Sequence, residues 1–143
     1  MARTLPDEKL REILKTSKRI VVIGLSPVPA RPSFGVTRYM IQNGYEIFGV
    51  RPASPREILG RPNFESLKDL NEDVDIINVF RNPEALPGVI DEIEEWLRHH
   101  PKKTRTLWLQ EGVVNEEAEK KAEKLGLQVV SDKCILKEHA RLV

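Results

Sequence analysis

The chain has 143 residues, with 23 Lys+Arg against 22 Asp+Glu, 40% hydrophobic residues and one cysteine, Cys134. One domain of residues 1–143 is the expectation for this length, and a net charge of +1 excludes a basic glove for nucleic acid and an acidic solvating tail. A lone cysteine excludes an intrachain disulfide framework and a cysteine-type zinc site. No apolar run reaches membrane-spanning length, and residues Met1 to Glu8 lack the apolar centre of a signal peptide. A cytoplasmic protein without a membrane or nucleic-acid partner is therefore expected.

In chain order, Asp7 to Thr16 places Leu10, Ile13 and Leu14 at helical spacing, predicting a short N-terminal helix over about 6–16. Arg19 to Gly24 is a continuous β-branched run and predicts a strand buried on both faces. Pro27, Pro29 and Pro32 then enforce a loop. Ser33 reads as the cap of a helix to about Asn43, with Val36, Tyr39 and Met40 on one face and Gly44 as its stop. Tyr45 to Val50 is the second strand. Pro52 to Pro62 is an irregular proline-rich stretch, and Ser66 to Leu70 a short helix. Val74 to Phe80 is the third long strand.

Asn82 reads as the cap of a helix starting at Pro83, with Leu86, Val89, Ile90, Ile93 and Leu97 inward and an end near His99. Thr106 to Leu109 is the fourth long strand. Asn115 caps a charged helix from Glu116 to Leu125, Gly126 stops it, and Gln128 to Ser131 is the last strand. A core of about 17–132 is followed by a tail, 133–143, without clear period. This alternation predicts an α/β fold: one doubly wound, mainly parallel sheet flanked by helices on both faces.

Such sheets bind ligands at the carboxyl ends of their strands. Those ends are Gly24-Leu25-Ser26, Val50-Arg51-Pro52, Phe80-Arg81-Asn82-Pro83, Leu109-Gln110-Glu111-Gly112 and Ser131-Asp132-Lys133-Cys134. Gly24 permits close backbone approach, Ser26 and Ser33 offer hydroxyls, and Arg31 adds charge beside a helix start. The combination suits a phosphate or pyrophosphate; the alternative is that Gly24 only makes a tight turn. No G-x-G-x-x-G and no P-loop pattern occurs. Where a NAD site places an acid, this chain has Arg51, with Arg56 close behind, which favours a phosphorylated ribose as in NADP or coenzyme A. Phe80 could pack on an adenine or pantetheine while Arg81 meets phosphate. Trp108 reads as core. His99 and His100, adjacent at a helix end, point in different directions and suit a structural role. His139 follows Cys134 by five residues, a spacing open to a thiol–imidazole pair, and Glu111 is the best lone carboxylate.

Taken together, Val22-Ile23-Gly24-Leu25-Ser26-Pro27, Arg31-Pro32-Ser33, Asn43-Gly44-Tyr45, Ile58 to Pro62, Val74 to Arg81, Trp108 to Gly112, Asp132-Lys133-Cys134, Glu138-His139 and Arg141-Leu142 resemble the stand-alone CoA-binding domain family. These are single-domain relatives of the N-terminal domain of the succinyl-CoA synthetase α subunit. The resemblance spans about residues 17 to 142 and implies a Rossmann-like fold with coenzyme A as ligand. It implies that Gly24, Leu25 and Ser26 hold the pyrophosphate, with Arg31 and Ser33 flanking it. Arg51 and Pro52 would border the adenosine, and Val79, Phe80 and Arg81 would line the opposite wall. The family often has Val-Asn-Pro where this chain has Val50-Arg51-Pro52; a cation there suits the 3′-phosphate. The phosphohistidine of the synthetases belongs to another domain, and His139 does not inherit that role.

The expected function is binding of coenzyme A or a short acyl-CoA by a module without a catalytic partner domain, with a mixed disulfide between Cys134 and the CoA thiol as its covalent extension. The alternatives are an NADP-linked or acyl-CoA-transfer enzyme using Glu111 or His139, and the nucleotide-binding subunit of a larger acyl-CoA ligase assembly. A homo-oligomer or a partner subunit stays open.

Overall fold

A computed structural model describes residues 5–101 and 105–143. Its helices are α1 (Asp7–Thr16), α2 (Pro32–Gln42), α3 (Leu86–His99), α4 (Glu116–Lys124) and α5 (Ile135–Leu142). Its strands are β1 (Arg19–Ile23), β2 (Glu46–Val50), β3 (Glu57–Ile58), β4 (Arg61–Phe64), β5 (Ile76–Val79), β6 (Thr106–Leu109) and β7 (Gln128–Val130). Short 3-10 turns occupy Leu67–Asp69 and Pro83–Ala85.

The seven strands form one sheet in the order β3-β4-β2-β1-β5-β6-β7. All pairings are parallel except the β3–β4 hairpin. The β-branched run of β1 explains its central place. Val21 and Ile23 enter the layer beneath α3 and α4, while Ile20 and Val22 enter the layer beneath α1, α2 and α5. Both faces are thus apolar, and burying each such side chain contributes roughly 1.5–3 kcal/mol. After β1 the chain builds outward through β2 and β4, then returns to the other side of β1 for β5. The expected doubly wound, Rossmann-like sheet is the one observed, and its strand order reverses between β1 and β5.

Four local expectations need correction. Ser33 is not the cap of α2: Arg31 holds that position and Pro32 is the first helical residue, because a proline's fixed φ suits the first turn. Asn82 stands at the cap position of the Pro83–Ala85 turn, but its side chain makes no capping bond; α3 begins only at Leu86. Asn115, by contrast, accepts from the Ala118 N–H at 3.1 Å. The stretch from Pro52 to Pro62 contains β3 and the start of β4. Pro62 is tolerated there because β4 pairs with β2 only through Asn63 and Phe64. The tail is α5, which buries Ile135, His139 and Leu142 at i, i+4 and i+7.

Candidate functional site

A cleft of about 490 Å³ opens where the strand order reverses. Gly24 closes β1 at φ +91°, and its N–H donates to the Val50 carbonyl at 2.8 Å. The Phe80 N–H donates to the Ile23 carbonyl at 2.8 Å. The ends of β1, β2 and β5 are thereby stitched together. A Cβ on Gly24 would collide with the Phe80 carbonyl oxygen, so the position demands glycine for both its φ and its space.

The loop after β1 folds back on α2. The Ser26 N–H donates to Ser33 Oγ at 2.9 Å, and Ser26 Oγ accepts from the Val28 N–H at 3.1 Å. Both serines are nearly buried, and both line the cleft. Their hydroxyl hydrogens remain to donate. At the start of α2, Pro32 has no N–H, and the Phe34 N–H is taken by the Arg31 carbonyl at 3.1 Å. An anion at this helix end would therefore be met by hydroxyls, by the Ser33 N–H and by the helix dipole.

Arg31, Arg51 and Arg81 all line the same cleft. Among the described residues, none of the three has a carboxylate within ion-pair distance. The acid of the cleft, Glu111, is already engaged by Lys137 on α5 at 3.1 and 3.2 Å. That bond raises the Lys137 pKa above its ordinary value. Positive charge is therefore concentrated and uncompensated in a concave site, the arrangement that attracts polyanions.

The floor holds a buried amide pair. Gln110 Nε2 donates to Asn78 Oδ1 at 2.6 Å. On the far rim, Asp132 at φ +58° accepts the Gly112 N–H at 2.8 Å, and Trp108 Nε1 donates to the Lys133 carbonyl at 2.9 Å. These bonds fix Cys134, which is partly exposed, lines the cleft and occupies the cap position of α5.

His139 is directed elsewhere. Its Nδ1 meets the Tyr39 hydroxyl at 2.9 Å, and its ring stands edge-on to Tyr39 and Tyr45. Burial lowers its pKa. No hydrogen bond joins it to Cys134, and it does not line the cleft. His100 stacks on Trp96 at 4.1 Å, and His99, at the surface, bonds Glu95 at 3.3 Å. No cluster of three metal-ligating side chains occurs among the described residues.

Of the residues singled out from the sequence, the cleft gathers Gly24, Ser26, Arg31, Ser33, Arg51, Phe80, Arg81 and Cys134. The Leu25 and Val79 side chains are fully buried in opposite core layers, and neither residue is part of the cleft wall. Pro52 is exposed beside the cleft but not part of its wall. Pro32, Val36, Asn82, Gln110, Glu111 and Val113 complete the lining. Asn82 and Gln110 follow from the strand-end rule, as does Glu111, the carboxylate singled out there. Val113 carries no sequence signal, since a loop places it there.

Sheet order, two-sided helix packing and a cleft at the switch point define a Rossmann-like α/β protein. More narrowly, the chain belongs to the CoA-binding domain family, which it matches over residues 18–140. It is 42% identical to the uncharacterized protein YneT of Bacillus subtilis (strain 168) over 132 residues, 92% of this chain and 93% of that one. Cell-free ID.343 from Thermus thermophilus is 36% identical, with a TM-score of 0.86 over 97% of this chain and 100% of that one. A hypothetical protein from Pyrococcus horikoshii OT3 is 32% identical, with a TM-score of 0.85 over 99% and 97%. No helix of the described residues is long and apolar enough to cross a membrane.

Proposed function

We propose that the cleft binds coenzyme A or a short acyl-CoA. The observation that carries this reading is the convergence of three unpaired guanidiniums, Arg31, Arg51 and Arg81, with the Ser26 and Ser33 hydroxyls in one concave site. The diphosphate lies at Gly24, Ser26 and the start of α2, with Arg31 beside it and the Leu25 backbone below. Arg51 meets the ribose phosphate, with Pro52 bordering the adenosine. Phe80 and Arg81, backed by the Val79 backbone, form the facing wall. Calorimetry with CoA, acetyl-CoA, NADP and NAD tests the assignment. Binding of a CoA form in preference to both dinucleotides is expected; no heat with either CoA form at millimolar concentration overturns it. Preference for NADP would favour the dinucleotide-linked alternative.

In the same reading the arm ends at Cys134. The Cys134 thiolate attacks one sulfur of CoA disulfide; the old S–S bond breaks, one CoA leaves as its thiolate, and a protein–CoA mixed disulfide remains. The disulfide is the oxidant, so no other co-reactant is needed. Incubation with CoA disulfide should add one CoA to the intact mass, and a reductant should remove it. An unchanged non-reducing mass, or an adduct that persists in Cys134→Ser, counts against it.

A further inference from the structure

The loop of residues 51–56, between β2 and β3, is held more firmly than a connector requires. The Arg51 N–H donates to the Phe64 carbonyl at 2.9 Å, and the Asn63 N–H to the Arg56 carbonyl at 2.8 Å. The Asn63 side chain reaches into the loop, where its Nδ2 donates to the carbonyls of Arg51 at 3.3 Å and Pro55 at 2.8 Å. From the outer side, both carboxylate oxygens of Glu65 accept the Ala53 N–H, at 3.2 and 3.1 Å. All of these holding groups come from β4 or the residue after it.

Two unfavourable features accompany this grip. Ala53 sits at φ +52°, a left-handed conformation that disfavours any residue with a Cβ. Asn63 is buried, and its Oδ1 has no hydrogen-bond partner, a state that carries a desolvation penalty. That oxygen is pressed against β2: a Cβ on Gly49 would stand 2.8 Å from it. Glycine at position 49 is what lets the carboxamide in. Strain of this kind persists only where surrounding contacts over-determine the conformation.

What the conformation delivers is Arg51. It is the one residue of the loop that lines the cleft, and neither Asn63 nor Glu65 lines it. An arginine side chain has many rotamers, and a fixed backbone beneath it reduces what must be ordered on binding. We propose that Asn63 and Glu65 are positioning residues that preset Arg51 for a phosphate on the ligand's ribose. They thereby set the discrimination between a phosphorylated and an unphosphorylated ribose. The inference rests on the reading of the cleft as a CoA site.

The test is calorimetry with CoA and 3′-dephospho-CoA on the full chain and on R51A, E65A, E65Q and N63A. The full chain should prefer CoA by about tenfold or more, the worth of a charge-assisted contact. R51A should abolish the preference. E65A and N63A should cut it at least about threefold while leaving 3′-dephospho-CoA affinity near its original value. E65Q keeps an acceptor for the Ala53 N–H and should restore the preference. Glu65 is exposed, so E65A reads the clamp without risk to folding. Equal losses for both ligands in E65A, or a preference untouched by E65A and N63A, overturn the inference alone. Binding of neither ligand by the full chain overturns the CoA reading with it.

Discussion

The two ends of the sheet treat arginine in opposite ways. At the amino ends of the strands, Arg19 pairs with Glu46 at 3.0 Å and Glu72 at 3.6 Å. Arg105, only 2% exposed, pairs with Asp73 at 2.6 Å, donates to the Val74 carbonyl at 3.1 Å and lies 4.9 Å over the Trp96 ring. The Asp75 carboxylate takes the N–H groups of Lys18 and Arg19. At the carboxyl ends, Arg31, Arg51 and Arg81 face a cleft whose one acid, Glu111, is held by Lys137 instead. A charge that is paired, stacked and buried contributes to holding the fold, and removing one partner is costly. A charge left open contributes little to stability and is available to a ligand. The near-neutral total of +1 conceals this division.

Substitutions can break or sharpen that contrast. Gly24→Ala should have the largest effect and blur the two ends. The strained φ and the clash with the Phe80 carbonyl should lower unfolding free energy by about 2–4 kcal/mol, read as a shifted denaturant midpoint, and CoA affinity should fall with it. Arg105→Ala should cost about 2–4 kcal/mol yet leave CoA affinity unchanged. Arg81→Ala should do the reverse. Stability should stay within about 0.5 kcal/mol, while affinity falls roughly 10–100-fold and its salt dependence weakens. If Arg81→Ala instead lowers the melting temperature as much as Arg105→Ala, the contrast fails.

The smallest effect concerns His139, which belongs to neither end. Burial holds its folded pKa below the ordinary 6.5, so the unfolded chain binds the proton more readily. Its contribution to stability is complete above about pH 6.5 and is lost as pH falls from there through the folded pKa. Asp7, lowered by its bond to Arg141, acts the same way only under more acidic conditions. Denaturant melts at pH 7 and pH 5 should show a steeper acid loss for the original chain than for His139→Gln. Parallel losses would remove His139 from the account.

The legible part of the fold was the part whose signal is local. The β-branched run of β1 and the short, largely apolar stretches of β5 and β6 identify strands buried on both faces, and their alternation with amphipathic helices identifies the layers. β4 was not legible because its pairing depends on β2, which lies outside any local window, and Pro62 argued against it. α5 was hidden because the middle of its buried stripe is a histidine, which hydropathy reads as polar although Tyr39 and Tyr45 enclose it. In the site, glycine, serine and arginine at strand ends announced themselves by residue type. Val36 and Val113 did not, since an apolar residue facing a cleft resembles one facing the core. Ser33 differs from its expected role because Pro32 takes the first helical position of α2, and Asn82 because a 3-10 turn at Pro83–Ala85 separates it from the start of α3 at Leu86.

The antiparallel hairpin has a consequence for solubility. It ends one side of the sheet with β3, only two residues long, and β7 ends the other with three. Short outer strands present few unpaired backbone groups in register to a neighbouring molecule. The sheet is thus poorly suited to growth by strand addition, so self-association at high concentration should proceed through helix surfaces instead of producing cross-β fibres.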